Sequence, residues 1–107
     1  MSERIPDPDR VTLLRVRLCE DGPIRMFRGR FAWTLAHLIN AGTKGISTIE
    51  RPAPRWSHYV FRLRRDGVQI ETRTEPHGGT YSGHHGVYVL SSPVEVLDVV
   101  TADAEAA

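Results

Sequence analysis

The 107-residue chain holds a single cysteine, Cys19, so no disulfide can close within it. Cys19 lies in the apolar run "VTLLRVRLCE" and is expected to be a small buried side chain. No apolar run approaches the ~20 residues that a helix needs to cross a bilayer. The opening "MSERIPDPDR" is polar and charged from the start and lacks the pattern of a secretory signal. A cytoplasmic location and no membrane partner are therefore expected. Nucleophile and base are nowhere paired in a recognisable setting, and no glycine-rich phosphate loop joins a strand to a helix. "HGG" at 77–79 resembles part of an oxyanion loop, but no nucleophile elbow accompanies it. An enzyme and a cofactor are accordingly not expected. His77, His84 and His85 invite a metal reading, but without a second ligand cluster or a nearby cysteine no metal is expected.

What the chain does have is arginine, unevenly placed. The net charge is only +1, yet residues 23–92 carry ten basic side chains (one of them lysine) against four acids. Residues 93–107 carry four acids and no base. A basic body of this kind favours a polyanionic partner, with an arginine-rich solvated surface as the plainer alternative.

At this length one domain with one core is expected. Residues 1–10, with two prolines and alternating charges, read as a flexible arm. In 11–27, Leu14, Val16 and Leu18 alternate with Arg15 and Arg17, the period of a half-buried strand. Asp21-Gly22 then suggests a two-residue hairpin turn, with Pro23 opening the returning strand. Residues 28–42 read as a helix, with Phe31, Leu35, Leu38 and Ile39 on one face and Gly42 as its C-terminal cap. Ser47-Thr48-Ile49-Glu50 has the form of a capping box, so a second helix is expected there, stopped almost at once by Pro52.

Pro54 can open a third helix. Its core face is Trp56, Val60 and Leu63. Arg55, His58, Arg62 and Arg65 define another face, with Ser57, Phe61 and Arg64 at the flanks. Asp66-Gly67 ends it. Two strands follow, "VQIETRTE" and "GVYVLSS", joined by the glycine-rich "PHGGTYSGHH", read as a loose tip. Residues 11–98 form the domain, and 99–107 read as an acidic tail.

Helix, short helix, helix and β-hairpin, carried by "RPAPRWSHYVFRLRR" and "EPHGGTYSGHHGVYVL", resemble over residues 29–92 the small winged-helix domain proteins of bacteria and their prophages. The resemblance implies an α+β winged helix-turn-helix with three helices and a C-terminal hairpin wing, here with an extra N-terminal hairpin enlarging the sheet at one edge. It implies that the helix before the hairpin enters the major groove of double-stranded DNA and that the wing tip follows the phosphate backbone. Arg55, Ser57, His58, Arg62 and Arg65 are then the helix contacts, with Arg55 or Arg62 as base reader and Arg65 on phosphate. His77, Gly78, Gly79, Thr80, Tyr81, His84 and His85 are the wing contacts. Glycine permits close backbone approach, and His84 and His85 would gain charge as pH falls. Arg64 is expected to be a flank contact or free, and His37 structural. Trp33 has two readings, packing on the N-terminal hairpin or facing a partner. The expected role is a small transcriptional or prophage-type regulator, and a homodimer would extend its site. The alternative is a protein-interaction module, a phage-type inhibitor or adaptor, with an apolar patch around Trp33, Phe61 and Tyr81.

Overall fold

Two periodicities in the sequence become two helices and two small antiparallel sheets. The structure, a computed structural model, describes residues 5–47, 56–77 and 83–102, with backbone only for 75–77 and 83–85. The elements are β1 (Val11–Leu18), β2 (Ile24–Arg28), α1 (Arg30–Ala41), β3 (Ile46–Ser47), α2 (Trp56–Arg65), β4 (Ile70–His77), β5 (Gly83–Leu90) and β6 (Val94–Thr101). The first sheet has the order β2-β1-β6 and the second β3-β5-β4.

The helix over residues 28–42 forms as Arg30–Ala41, and Gly42, at φ 57°, caps it with its N–H donating to the Leu38 carbonyl. α1 is buried on almost every side: Ala32, Thr34, Leu35, Ala36, His37, Leu38 and Ile39 are all out of solvent. It touches β1 and β2 of one sheet as well as α2, β3 and β5, so a single apolar stripe would not suffice. The buried hydroxyl of Thr34 is satisfied by donating to the Arg30 carbonyl at 2.8 Å.

α2 carries its core stripe as the 3.6-residue period requires, with Trp56, Val60 and Leu63 buried. Its stop is a Schellman turn. The Gly67 N–H donates to the Arg64 carbonyl and the Val68 N–H to that of Leu63. Gly67 sits at φ 104°, and Val68 and Leu63, both buried, make the apolar contact that accompanies such a turn. Val68 and Ile70 continue into the core while Gln69 and Glu71 face water, the expected alternation.

Several expectations need correction. The hairpin of β1 and β2 turns over more than Asp21-Gly22: the Leu18 N–H donates to the Pro23 carbonyl, leaving four residues between them. Cys19 is exposed and at φ 62°, because it begins that turn rather than ending the buried strand. The N-terminal hairpin does not enlarge the wing sheet. It belongs to a sheet of its own, whose third strand is β6, antiparallel to β1 from Leu18↔Val94 to Val11↔Thr101. Residues 99–101 are thus strand rather than tail. Residues 5–10 are held in place rather than trailing: Ile5 is buried, its backbone exchanges two hydrogen bonds with the Asn40 side chain, and Asp9 meets His37 at 2.8 Å. Among the described residues there are two α-helices. Ser47, the expected cap of another, ends β3, and the remaining positions of that expected short helix, before Pro52, lie outside the described residues.

Candidate nucleic-acid interface

Because Trp56, Val60 and Leu63 point inward, helical geometry turns Ser57, His58, Phe61, Arg62 and Arg65 outward, and all five are exposed. No acid stands in the first turn of α2, and the last turn holds Arg62, Arg64 and Arg65. Cations there complement the negative end of the helix dipole. His58, Arg62 and Arg65, expected from the sequence on one face, and Ser57, expected at its flank, all stand on the exposed side of α2. Arg55 lies outside the described residues.

The aromatic residues of α1 fix how α2 is presented. The Trp33 ring lies 5.3 Å from Trp56 and 4.5 Å from His37, with the Arg30 guanidinium 4.6 Å from its centroid. Trp33 therefore packs at the α1–α2 junction, a placement neither reading of the sequence named. Phe31, assigned to the core face of its helix, is instead half-buried at the same junction. It meets Tyr59 edge-on at 5.6 Å, approaches His58 at 6.3 Å, and carries the Arg62 guanidinium 5.3 Å above its ring. A cation over an aromatic face gains about 0.5–1 kcal/mol at an exposed site. This contact holds Arg62 at the surface without using up its N–H donors.

The arginines of this region divide into two kinds. Arg64 is neither free nor available as a flank contact. Its Nε and Nη2 donate to the Ile70 carbonyl at 2.9 and 2.6 Å, and Nη2 also reaches Thr72 Oγ1 at 2.8 Å. It ties α2 to β4. Arg73 likewise donates to the Thr43 and Lys44 carbonyls, tying β4 to the turn after α1. The ion pairs among the described residues, Arg15–Asp98 and His37–Asp9, leave Arg62 and Arg65 without an acidic partner.

The hairpin of β4 and β5 is longer than the sequence suggested. Its ladder runs from Ile70↔Leu90 out to His77↔Gly83, with Pro76 opposite His84 and Glu75 opposite His85. His77, His84 and His85 are therefore strand residues, not part of a loose tip. Pro76 is tolerated because β4 is the edge strand of its sheet. Gly78, Gly79, Thr80 and Tyr81 lie outside the described residues. At the base, β3 pairs with β5 through Ile46↔Tyr88 and Ser47↔Val87. Gly45, at φ 74°, permits that approach, since a Cβ there would stand 2.6 Å from Val87 Cγ1 and 2.8 Å from the Tyr88 carbonyl.

Among the described residues no helix is long and apolar enough to cross a membrane. No curated protein and no solved structure matches the chain. A family model described as a winged helix domain matches residues 24–100, from the start of β2 almost to the end of β6. α1, the short strand β3, α2 and the β4–β5 hairpin fall within that span, and the chain belongs to the winged helix domain family.

Proposed function

We propose that this protein binds double-stranded DNA, with α2 in the major groove and the β4–β5 hairpin along the backbone, and that it serves as a small transcriptional or prophage-type regulator. The family points to DNA binding in general terms. The observation that carries the specific reading is the outer face of α2, where Ser57, His58, Arg62 and Arg65 stand exposed with no acid among them. Arginine at such a site can make two parallel hydrogen bonds to a guanine edge or to phosphate. Arg55, at the start of the same helical pattern, and the wing residues His77, Gly78, Gly79, Thr80, Tyr81, His84 and His85 complete the proposed surface. Two-fold pairing of copies would extend a site that one domain of this size reads over few base pairs.

A second reading rests on a different place. Ile24 and Met26 are 45% and 50% exposed on the same side of β2, an apolar surface suited to a protein partner. On that reading the winged helix is an inhibitor or adaptor scaffold. Selection from random duplex DNA, with affinity measured at two salt concentrations, separates the two. A DNA binder enriches a sequence, and log affinity falls with log salt at about 0.9 per phosphate contacted. No enrichment and weak affinity would sink the DNA reading in favour of the adaptor.

A further inference from the structure

Phe61 stands outward from the middle of the proposed DNA surface, 62% exposed, the most open of the large apolar side chains among the described residues. Single exposed apolar residues are ordinary, but the surroundings of this one are not. Helical spacing makes Ser57, His58 and Arg65 its one-turn neighbours, while Arg62, the next residue, projects about 100° further round the helix toward Phe31. Phe31 takes the Arg62 guanidinium and the His58 and Tyr59 rings, and no described ring contact involves Phe61. Phenylalanine is also a middling helix former, so local helix stability does not account for it.

From this placement we infer that Phe61 recognises the 5-methyl group of a pyrimidine in the major groove. The inference rests on α2 being the groove-entering helix. The chemistry decides between DNA and a protein partner. Burying Phe61 against an apolar protein surface would strip water from Arg62 and Arg65 with nothing to pair them. The major groove suits all of these groups at once. Phosphates and guanine edges accept from the arginines, and the thymine methyl is the apolar group that the groove displays. A 5-methylcytosine presents the same methyl at the same place, so it is the second source of this ligand chemistry.

The test uses the duplex selected as above, with each thymine replaced in turn by uracil, which removes only the methyl. The parent protein should lose about three- to tenfold in affinity at one thymine and little at the others, the size expected for one buried methyl. Phe61→Ala should keep its melting temperature and salt slope, bind the parent duplex as weakly as the parent protein binds the critical uracil duplex, and no longer distinguish thymine from uracil. Cytosine and 5-methylcytosine at that position then separate the two sources: recovery with 5-methylcytosine shows that the methyl alone suffices, and no recovery restricts recognition to thymine. Equal uracil effects in the two proteins, or none in either while duplex binding persists, would overturn the role of Phe61 and leave DNA binding standing. A parent protein without salt-dependent duplex binding would overturn both together.

Discussion

α1 and α2 differ by only two residues in length and share one aromatic junction, yet they serve opposite ends. α1 buries seven of its twelve residues, whereas α2 buries three of ten and, Tyr59 aside, spends the remainder on arginine, histidine and other exposed side chains. A helix held from several sides can be apolar nearly all round. A helix supported along one stripe is free to present its other side. The lesson concerns reading charge. Arg64 and Arg65 are neighbours in one helix, but Arg64 is consumed by Ile70 and Thr72 while Arg65 faces outward. Counting basic residues along α2 overstates the proposed binding face by one.

The contrast can be broken most severely at the junction. Trp56→Ala should destabilise the fold by roughly 3–5 kcal/mol, and Leu35→Ala, at a fully buried position of α1, by about 2–5 kcal/mol. Thermal or urea unfolding reads both, and an unchanged melting temperature for either would contradict the assigned burial. Gly67→Ala should come next, at about 1–2 kcal/mol. The residue sits at φ 104°, and the added Cβ would lie 3.1 Å from Leu18 Cδ1. A neutral result in the same unfolding assay would mean that the turn after α2 relaxes without strain.

Arg64→Met keeps the aliphatic stem and removes the tie to β4. It should lower stability by about 1 kcal/mol, reduced from the value for a buried charged hydrogen bond because the side chain is exposed to water. Its effect on DNA affinity should be smaller than that of Arg65→Ala. The reverse ranking in a binding titration would show that Arg64 leaves its internal partners to contact the ligand. Least costly to the fold is removal of Ser57, His58, Arg62 and Arg65 together as alanines. Stability should change by less than about 1 kcal/mol, since exposed charges contribute little. Duplex affinity should fall for all sequences, with the salt slope reduced by about one for each arginine that contacted phosphate. Undiminished binding would leave the outer face of α2 a solvated surface.

The parts legible in the sequence are those with a local cause. The Trp56, Val60, Leu63 stripe, the helix carrying Leu35, Leu38 and Ile39, the stop at Gly67 and the hairpin after it all follow from periodicity or turn chemistry within a few residues. The illegible parts depend on partners far along the chain. Residues 93–98 read as an apolar part of the domain, but nothing in them names β1 as a partner, and the acidic 99–107 reads as a tail. Asp9, Ile5 and Asn40 give no local sign that an N-terminal segment rich in proline is docked. Trp33 could not be placed, because its partner, Trp56, comes from another helix. Phe61 reads as a flank by sequence spacing alone. The burial of its neighbours is what shows it to be part of the outer face.

The pairing of β1 with β6 has a consequence for the order of assembly. Asp98, which pairs with Arg15, lies 83 residues further along the chain. A ribosome therefore delivers β1 first and its second neighbour last. α1, α2 and the β4–β5 hairpin emerge in between, while β1 has β2 as its strand partner and α1 packed against it but not yet β6. Closure of so long a loop is slow relative to local helix and hairpin formation. The strand that completes the first sheet thus acts as a latch. The half that carries the proposed interface can fold before this closure, and a nascent chain cut short of residue 94 retains every described element of that interface but not the latch.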